Sequence, residues 1–351
     1  MAVDQDKLMD LLNKFVGDLG ATMHAGNMVI GHRLGLYRSL AEGPATADEL
    51  AGRTGCNPRY LTEWLRGQAA GGYVDVDLES ETYSLNEEQA FALTNPDNPL
   101  YLPGAFVLAL GTLRAEPRIT DAFRTGDGFG WGEHDHDVFV GCEQFFRPGY
   151  IGNLVPSWLP ALDGVEEKLR KGAKVADLGC GLGSSSVLMA QAFPATHVVG
   201  SDAHDGSIEL ARKRAADAGV ADRTAFEVAT AQTFSGNGYD LVTTFDCLHD
   251  MGDPIGAARH VRQALAPDGT WMIVEPYAGD AYTDNLNPVG RVYYGFSTYL
   301  CVPSAMSQGG GYALGAQAGE AAIGRVVTDA GFTRFRRVAE TPFNLVFEAR
   351  P

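Results

Sequence analysis

The stretch Phe245–Met251, FDCLHDM, sets Cys247, His249 and Asp250 side by side directly after an apolar run, YDLVTTF. These side chains serve as a nucleophile, an acid/base pair or part of a metal set. The same loop is equally the polar end of a buried strand. A second cluster, GWGEHDHDVF, flanks Asp135 with His134 and His136. No further Cys/His pair stands at ligand spacing nearby, so it reads as a polar loop or a lip over a site, and no metal is expected.

The elements that position these groups start at Val175. KVADLGCGLGSSSVLMA gives a strand, a glycine loop and a helix; HVVGSD and the helix SIELARKRAADAG follow, then the strands TAFEVA, DLVTTF and TWMIVE. Repeated βα units of this kind imply an α/β fold with a doubly wound, mainly parallel sheet, whose ligands lie at the carboxyl ends of the strands. FDCLHDM follows the fourth strand and therefore stands on that edge.

The loop decides the ligand class. Gly179, Gly181 and Gly183 spell G-x-G-x-G, and Ser184 occupies the position where a dinucleotide fingerprint wants its last glycine. Asp177 puts a carboxylate at the strand end, where a pyrophosphate would be repelled and the ammonium and sulfonium of S-adenosylmethionine attracted. Asp202, at the end of the second strand, suits a bidentate hydrogen bond to ribose hydroxyls.

Composition narrows the rest. Net charge is −17, and residues 1–100 carry 15 acidic against 7 basic side chains. That sign opposes phosphate binding and argues against a nucleic-acid partner. Cys56, Cys142, Cys180, Cys247 and Cys301 are scattered without a C-x-x-C, which implies a reducing compartment. MAVDQDKLMDLL lacks the design of a signal peptide, and no apolar stretch approaches a membrane span, so a cytoplasmic protein is expected.

In the first third, Thr46 with Glu49 forms a capping box, Gly55 ends that helix, and Asn57–Pro58 opens another with Leu61, Trp64 and Leu65 on one face. VDVDLESETYSL then alternates Val74, Val76 and Leu78 with acids, and Tyr83 with Leu85, which reads as a β-hairpin. Helix, turn, helix, hairpin is a winged helix. Arg59 and Arg66 on the second helix, against Asp75, Asp77, Glu79 and Glu81 in the wing, favour a dimerisation role over DNA binding.

VADLGCGLGSS with VVGSD resembles the first two motifs of class I S-adenosylmethionine-dependent methyltransferases. The whole chain is similar to the subgroup with an N-terminal winged-helix dimerisation domain, to which many small-molecule O-methyltransferases belong. The resemblance implies a Rossmann-like seven-stranded sheet. It divides the chain into a mainly helical winged-helix and dimerisation domain (1–95), a helical connection and cap (96–165) and a cofactor domain (166–351) with a substrate-capping insertion (276–316). Gly179, Gly181 and Gly183 would then line the methionine end of S-adenosylmethionine, Asp177 would reach its amino group and Asp202 its ribose. Ala203, His204, Thr230, Ala231 and Gln232 would lie by the adenine, and Phe245 and Asp246 beside the cofactor. Plant-type O-methyltransferases carry a similar Leu-His-Asp stretch whose His takes the substrate's proton, with a Glu closing the next strand; His249 and Glu275 stand there, and a second Glu falls at Gln317 or Glu320.

A phenol attacks a sulfonium methyl far better as phenolate, so a His base suits the chemistry. LHDMGDP also fits the Leu-His-x-x-x-Asp-Pro loop of methyltransferases acting on carbon, nitrogen or sulfur without a base. A winged-helix regulator sensing S-adenosylmethionine is the alternative from another class. Cys247 reads as a packing residue. Phe146, Tyr150, Tyr294 and Tyr299 are candidates for contact with a small apolar acceptor, SQGGGYALG for a hinge or lid, and AGFTRFRRVAETPFNLVFEARP for a terminal hairpin.

Overall fold

A computed structural model describes residues 3–351. The chain divides into two compact units, one running to Leu110 with Val140–Pro148, the other comprising Gly111–Phe139 and Gly149–Pro351. The stretch expected to connect two domains is thus shared between them.

The first unit begins with a 29-residue helix, α1 (Gln5–Arg33), capped by Asp4. Helices α2 (Leu36–Leu40), α3 (Ala47–Thr54) and α4 (Pro58–Ala70) follow. The Thr46–Glu49 capping box forms, Gly55 ends α3 at φ +71°, and Asn57 caps α4 with Pro58 in its first turn, all as the sequence dictates. Leu61, Trp64 and Leu65 join Met28, Leu36, Tyr37 and Leu50 in this unit's core. The wing is a short hairpin, β1 (Asp75–Asp77) with β2 (Thr82–Ser84), pairing Val76 with Tyr83. Val74 and Tyr83 are buried, whereas Val76 and Leu78 are exposed, because only the base of this two-stranded ribbon is covered. On α4, Arg59 is paired with Glu63 at 2.6 Å. Helix α5 (Glu87–Thr94) completes the winged helix, and α6 (Pro103–Leu113) follows.

The second unit opens with α7 (Glu116–Thr125), α8 (His136–Asn153), which passes through both units, and α9 (Val165–Lys171). Its sheet contains β3 (Lys174–Leu178), β4 (His197–Asp202), β5 (Thr224–Val228), β6 (Tyr239–Phe245), β7 (Leu265–Pro276), β8 (Arg334–Glu340) and β9 (Asn344–Arg350). The spatial order is β5-β4-β3-β6-β7-β9-β8, parallel through β7, with β9 antiparallel to both its neighbours. The expected seven-stranded Rossmann-like sheet and terminal hairpin are therefore present.

Alternate side chains of the strands feed two apolar layers: Val175, Leu241 and Met272 pack on one face, Ala176, Val242 and Ile273 on the other. The crossovers α10 (Ser184–Ala192), α11 (Asp205–Asp217), α12 (Pro254–Ala264) and, before the hairpin, α15 (Gly319–Asp329) cover these faces. Helices α13 (Pro288–Phe296) and α14 (Val302–Ser307), joined by the π-helical turn Ser297–Cys301, form the insertion after β7. No helix of the described residues is long and apolar enough to cross a membrane.

Candidate active site

The glycine loop follows β3, and all three glycines hold left-handed φ values: +66° at 179, +51° at 181 and +81° at 183. A Cβ on Gly179 would lie 2.8 Å from Cys247 Sγ, and one on Gly183 would lie 2.9 Å from the Ala211 methyl. Gly181 faces open space, so its requirement is backbone freedom alone. Asp202, at the end of β4, accepts from Gly181 N–H (2.9 Å) and His204 N–H (2.8 Å). Burial pushes its carboxyl upward, against those two bonds. It ties the loop to the β4 end while remaining partly exposed.

Asp177 behaves differently from the expectation. It is fully buried, and both its oxygens are committed: one accepts from Ser185 and Ser186 hydroxyls at 2.6 Å each, the other from Thr243 at 2.9 Å. Burial raises its pKa, with the hydroxyls holding it back. Two serines at the start of α10 and a threonine on β6 thus turn this carboxylate inward. It fixes the loop rather than offering a free oxygen to a ligand's ammonium.

Beyond β4, Ala203 is exposed, and His204 caps α11 through Ser207 while its ring stacks on Phe139 at 4.3 Å. Phe139 carried no local signal in the sequence; only the fold brings α8 to that ring. After β5, Thr230 is exposed and bonded to Thr233, Ala231 is half-buried, and Gln232 donates to the Asp253 carbonyl at 3.1 Å. Phe245 packs against Tyr150 at 5.0 Å and Trp158 at 6.4 Å.

Asp246 adopts φ +50°, unusual for a residue with a side chain. Its Oδ1 accepts from Asn344 (2.9 Å), whereas the buried Oδ2 has no hydrogen-bond partner among the described residues. Burial, followed by the nearby Glu275 charge, raises its carboxyl well above the usual range. This kink turns the chain from β6 into the short 3-10 turn Leu248–Asp250.

His249 is 3% exposed on that turn. Glu275, near the end of β7, places Oε2 2.6 Å from Nδ1 and accepts the Leu248 N–H at Oε1 (3.0 Å). Asp250 Oδ1 lies 3.2 Å from Nε2. The Cys301 thiol, at the end of the π-helical turn, is within hydrogen-bonding reach of both His249 and Asp250. Burial disfavours an imidazolium here, but Asp250 and Glu275 outweigh it and hold the pKa well above the ordinary value. Burial pushes the Cys301 thiol up to about 12, with Asp250 adding to the effect. Cys247 packs against the loop, its thiol 3.4 Å from the Leu178 carbonyl.

Neither position expected for a second Glu supplies a carboxylate to this ring. Gln317 donates to the Tyr277 and Ala316 carbonyls, and Glu320 pairs with Arg337. Asp250 is the second acid beside His249. SQGGGYALG is anchored: Gln308 accepts from Gly252 N–H at 3.0 Å and donates to the Asp250 carbonyl at 2.9 Å, and Tyr312 N–H bonds the Gly252 carbonyl.

Among the aromatic candidates, Phe146 belongs to the first unit, against Phe145. Tyr294 is exposed on α13, whereas Tyr293 is buried and donates to the Phe343 carbonyl. Tyr299 lines a cleft of about 410 Å³ with Phe123 and Arg124. His134 lies in the bend before α8, yet its side chain is buried 4.5 Å from the Phe129 ring, and burial lowers its pKa to about 4.

Residues 169–305 match the family described as a methyltransferase domain, and residues 23–95 the Rv2258c-like winged HTH domain. The mitomycin biosynthesis 6-O-methyltransferase of Streptomyces lavendulae is 26% identical over 253 residues, 69% of this chain and 71% of that one. Two solved structures share the fold across nearly all of both chains. Human N-acetylserotonin methyltransferase in complex with SAM has a TM-score of 0.73 at 17% identity, covering 100% of this chain and 99% of its own. The mitomycin 7-O-methyltransferase MmcR has a TM-score of 0.69 at 21% identity, covering 99% and 100%.

Proposed function

We propose that this chain, which belongs to the S-adenosylmethionine-dependent methyltransferases and uses S-adenosylmethionine as cofactor, methylates a hydroxyl oxygen of a small, largely apolar molecule with His249 as general base. The observation that carries the reading is the Glu275–His249 contact at 2.6 Å. A carboxylate on Nδ1 selects the tautomer with its proton there and its lone pair on Nε2, and it stabilises the imidazolium that forms when the base takes a proton. The 6-O-methyltransferase relative supports oxygen as the atom methylated.

In this reading the loop at Gly179, Gly181 and Gly183 receives the methionine end, Asp202 the ribose, and His204 with Thr230–Gln232 the adenine. Asp177 holds the loop in shape. His249 Nε2 would take the acceptor's proton with Glu275 holding Nδ1, and S-adenosylmethionine held by the loop and Asp202 would supply the methyl group. Orientation supplies most of the acceleration, and proton removal a further share of about 10²–10⁴-fold. Tyr150, Tyr294, Tyr299 and Phe146 remain the candidates for contact with the acceptor.

His249→Ala tests the base. Turnover should fall by about two orders of magnitude or more, with S-adenosylhomocysteine binding intact by calorimetry. A loss of only a few-fold favours the second reading, transfer to carbon, nitrogen or sulfur without a base. That reading draws on the packing of Nε2 against Asp250 and Cys301, which suits a His that merely braces the loop. The exposed apolar residues of α1 support a homodimer formed through the N-terminal unit, the excess of acidic over basic side chains in that unit speaks against nucleic acid as a partner, and the five free cysteines fit a reducing, cytoplasmic setting.

A further inference from the structure

We infer that His249 Nε2, the Asp250 carboxylate and Cys301 Sγ form a binding site for one zinc-class divalent cation, whose occupancy switches methyl transfer off. Two of the three ligands, His249 and Asp250, are neighbours in the chain, whereas Cys301 stands far from them and arrives on the insertion.

The three ligand atoms all lie within 4.8 Å of one another, with Nε2 and Asp250 Oδ1 3.2 Å apart. Tetrahedral zinc, with Zn–N and Zn–O near 2.0–2.1 Å and Zn–S near 2.3 Å, needs ligand-to-ligand edges of roughly 3.3–3.6 Å. One edge is already in place, and Cys301 Sγ, within 4.8 Å of both partners, completes the others by moving inward. The second shell is built as well. Glu275 holds Nδ1 at 2.6 Å and is itself fixed by the Leu248 N–H, the arrangement by which a carboxylate orients a metal-bound imidazole. Asp250 Oδ1 is buried with His249 Nε2 at 3.2 Å and the Cys301 thiol in reach of the same carboxylate, and a cation there would engage all three. A thiolate, an imidazole and one carboxylate select the zinc class over magnesium or calcium. Binding releases the Cys301 thiol proton to solvent, and the fourth position is left for water.

His249 and Asp250 stand on the turn after β6, and Cys301 ends the π-helical turn of the insertion. A bound ion would cross-link the two segments and occupy the Nε2 lone pair. The loss of activity rests on the general-base reading above; the site itself does not.

The test uses full-length, tag-free protein titrated with Co²⁺ in place of Zn²⁺. One equivalent should give the visible bands of tetrahedral cobalt with a sulfur-to-cobalt charge-transfer band, displaced by Zn²⁺. Cys301→Ser should abolish the charge-transfer band, Glu275→Gln should weaken cobalt binding by about tenfold or more, and Cys56→Ser, in the first unit, should change nothing. Asp250→Asn serves as a second ligand variant should Cys301→Ser fail to fold. Absence of the band, or a band unchanged in both ligand variants, overturns the site. Zinc that binds without lowering turnover overturns the switch alone. The base reading is judged separately, by turnover of metal-free His249→Ala.

Discussion

Glu275 Oε2 lies 2.6 Å from His249 Nδ1 while its other oxygen accepts the Leu248 N–H, so one carboxylate near the end of β7 fixes both the ring and the backbone of the turn after β6. The pH dependence follows. Burial works against protonation of His249, but Asp250 and Glu275 raise its pKa well above the ordinary value. A base must be neutral, so kcat/KM should rise with pH through that raised pKa rather than near 6.5. Glu275→Gln removes one of the two raising charges. Its rising limb should move to lower pH, while its plateau falls because the imidazolium loses a partner. A limb that stays in place in the variant would assign the profile to another group.

Asp246 offers a stability test with a definite sign. Its carboxyl is raised in the folded chain, first by burial and then by Glu275. The folded state therefore binds that proton more tightly than the unfolded state does. Stability is lost as pH climbs from the unfolded value toward the folded one, and the full cost is present above both. Asp246→Asn removes the charge and tolerates the left-handed backbone at φ +50°. At neutral pH it should raise stability by on the order of 1 kcal/mol, and the gain should shrink as pH falls. Urea unfolding at neutral pH and near pH 4 measures the difference; a gain that grows on acidification sinks the assignment.

The two acids of the cofactor loop should separate cleanly. Asp177→Ala strands three buried hydroxyls that now donate to it, which should cost roughly 2–4 kcal/mol of stability. Asp202→Ala releases only two backbone N–H groups at a partly exposed site. It should leave Tm closer to wild type and weaken S-adenosylhomocysteine by at least about tenfold, through two lost charge-assisted bonds to ribose. Thermal unfolding and calorimetry on both variants decide it. Equal stability losses would mean that Asp202 is as structural as Asp177.

Legibility followed the range of the interactions. The glycine loop and the alternation of strands with helices could be read because each is written in a few consecutive residues, and the Thr46 and Asn57 caps for the same reason. Glu275 beside His249 is what the resemblance to plant-type O-methyltransferases implies, and the parallel pairing of β6 with β7 brings the two together. What the chain hid was non-local. The inward commitment of Asp177 depends on hydroxyls from α10 and β6, and the bond from Asn344 to Asp246 spans 98 positions. The Phe139–His204 stack and the arrival of Cys301 at His249 likewise need the folded chain. The aromatic insertion shows the limit of composition: neighbouring Tyr293 and Tyr294 divide into a buried residue and an exposed one, which only helical phase and packing determine.

Helix α1 exposes Leu8, Leu12, Phe15, Leu19 and Met23, at helical spacings of three and four, with Leu11 and Val16 alongside. Burial along this helix is concentrated at its far end, at Met28, Val29 and Gly31. A stripe of that length would be costly to leave in water, at roughly 25 cal/mol per Å² of apolar surface, and a second copy presenting the same stripe would cover it symmetrically. Wild-type protein should therefore run as a dimer in size-exclusion chromatography with light scattering. The double variant Leu12→Glu/Phe15→Glu should run as a monomer with an unchanged far-ultraviolet CD spectrum, since both positions are solvent-facing within the chain. Wild type that is monomeric at tens of micromolar, or a double variant that stays dimeric, would remove α1 as the interface.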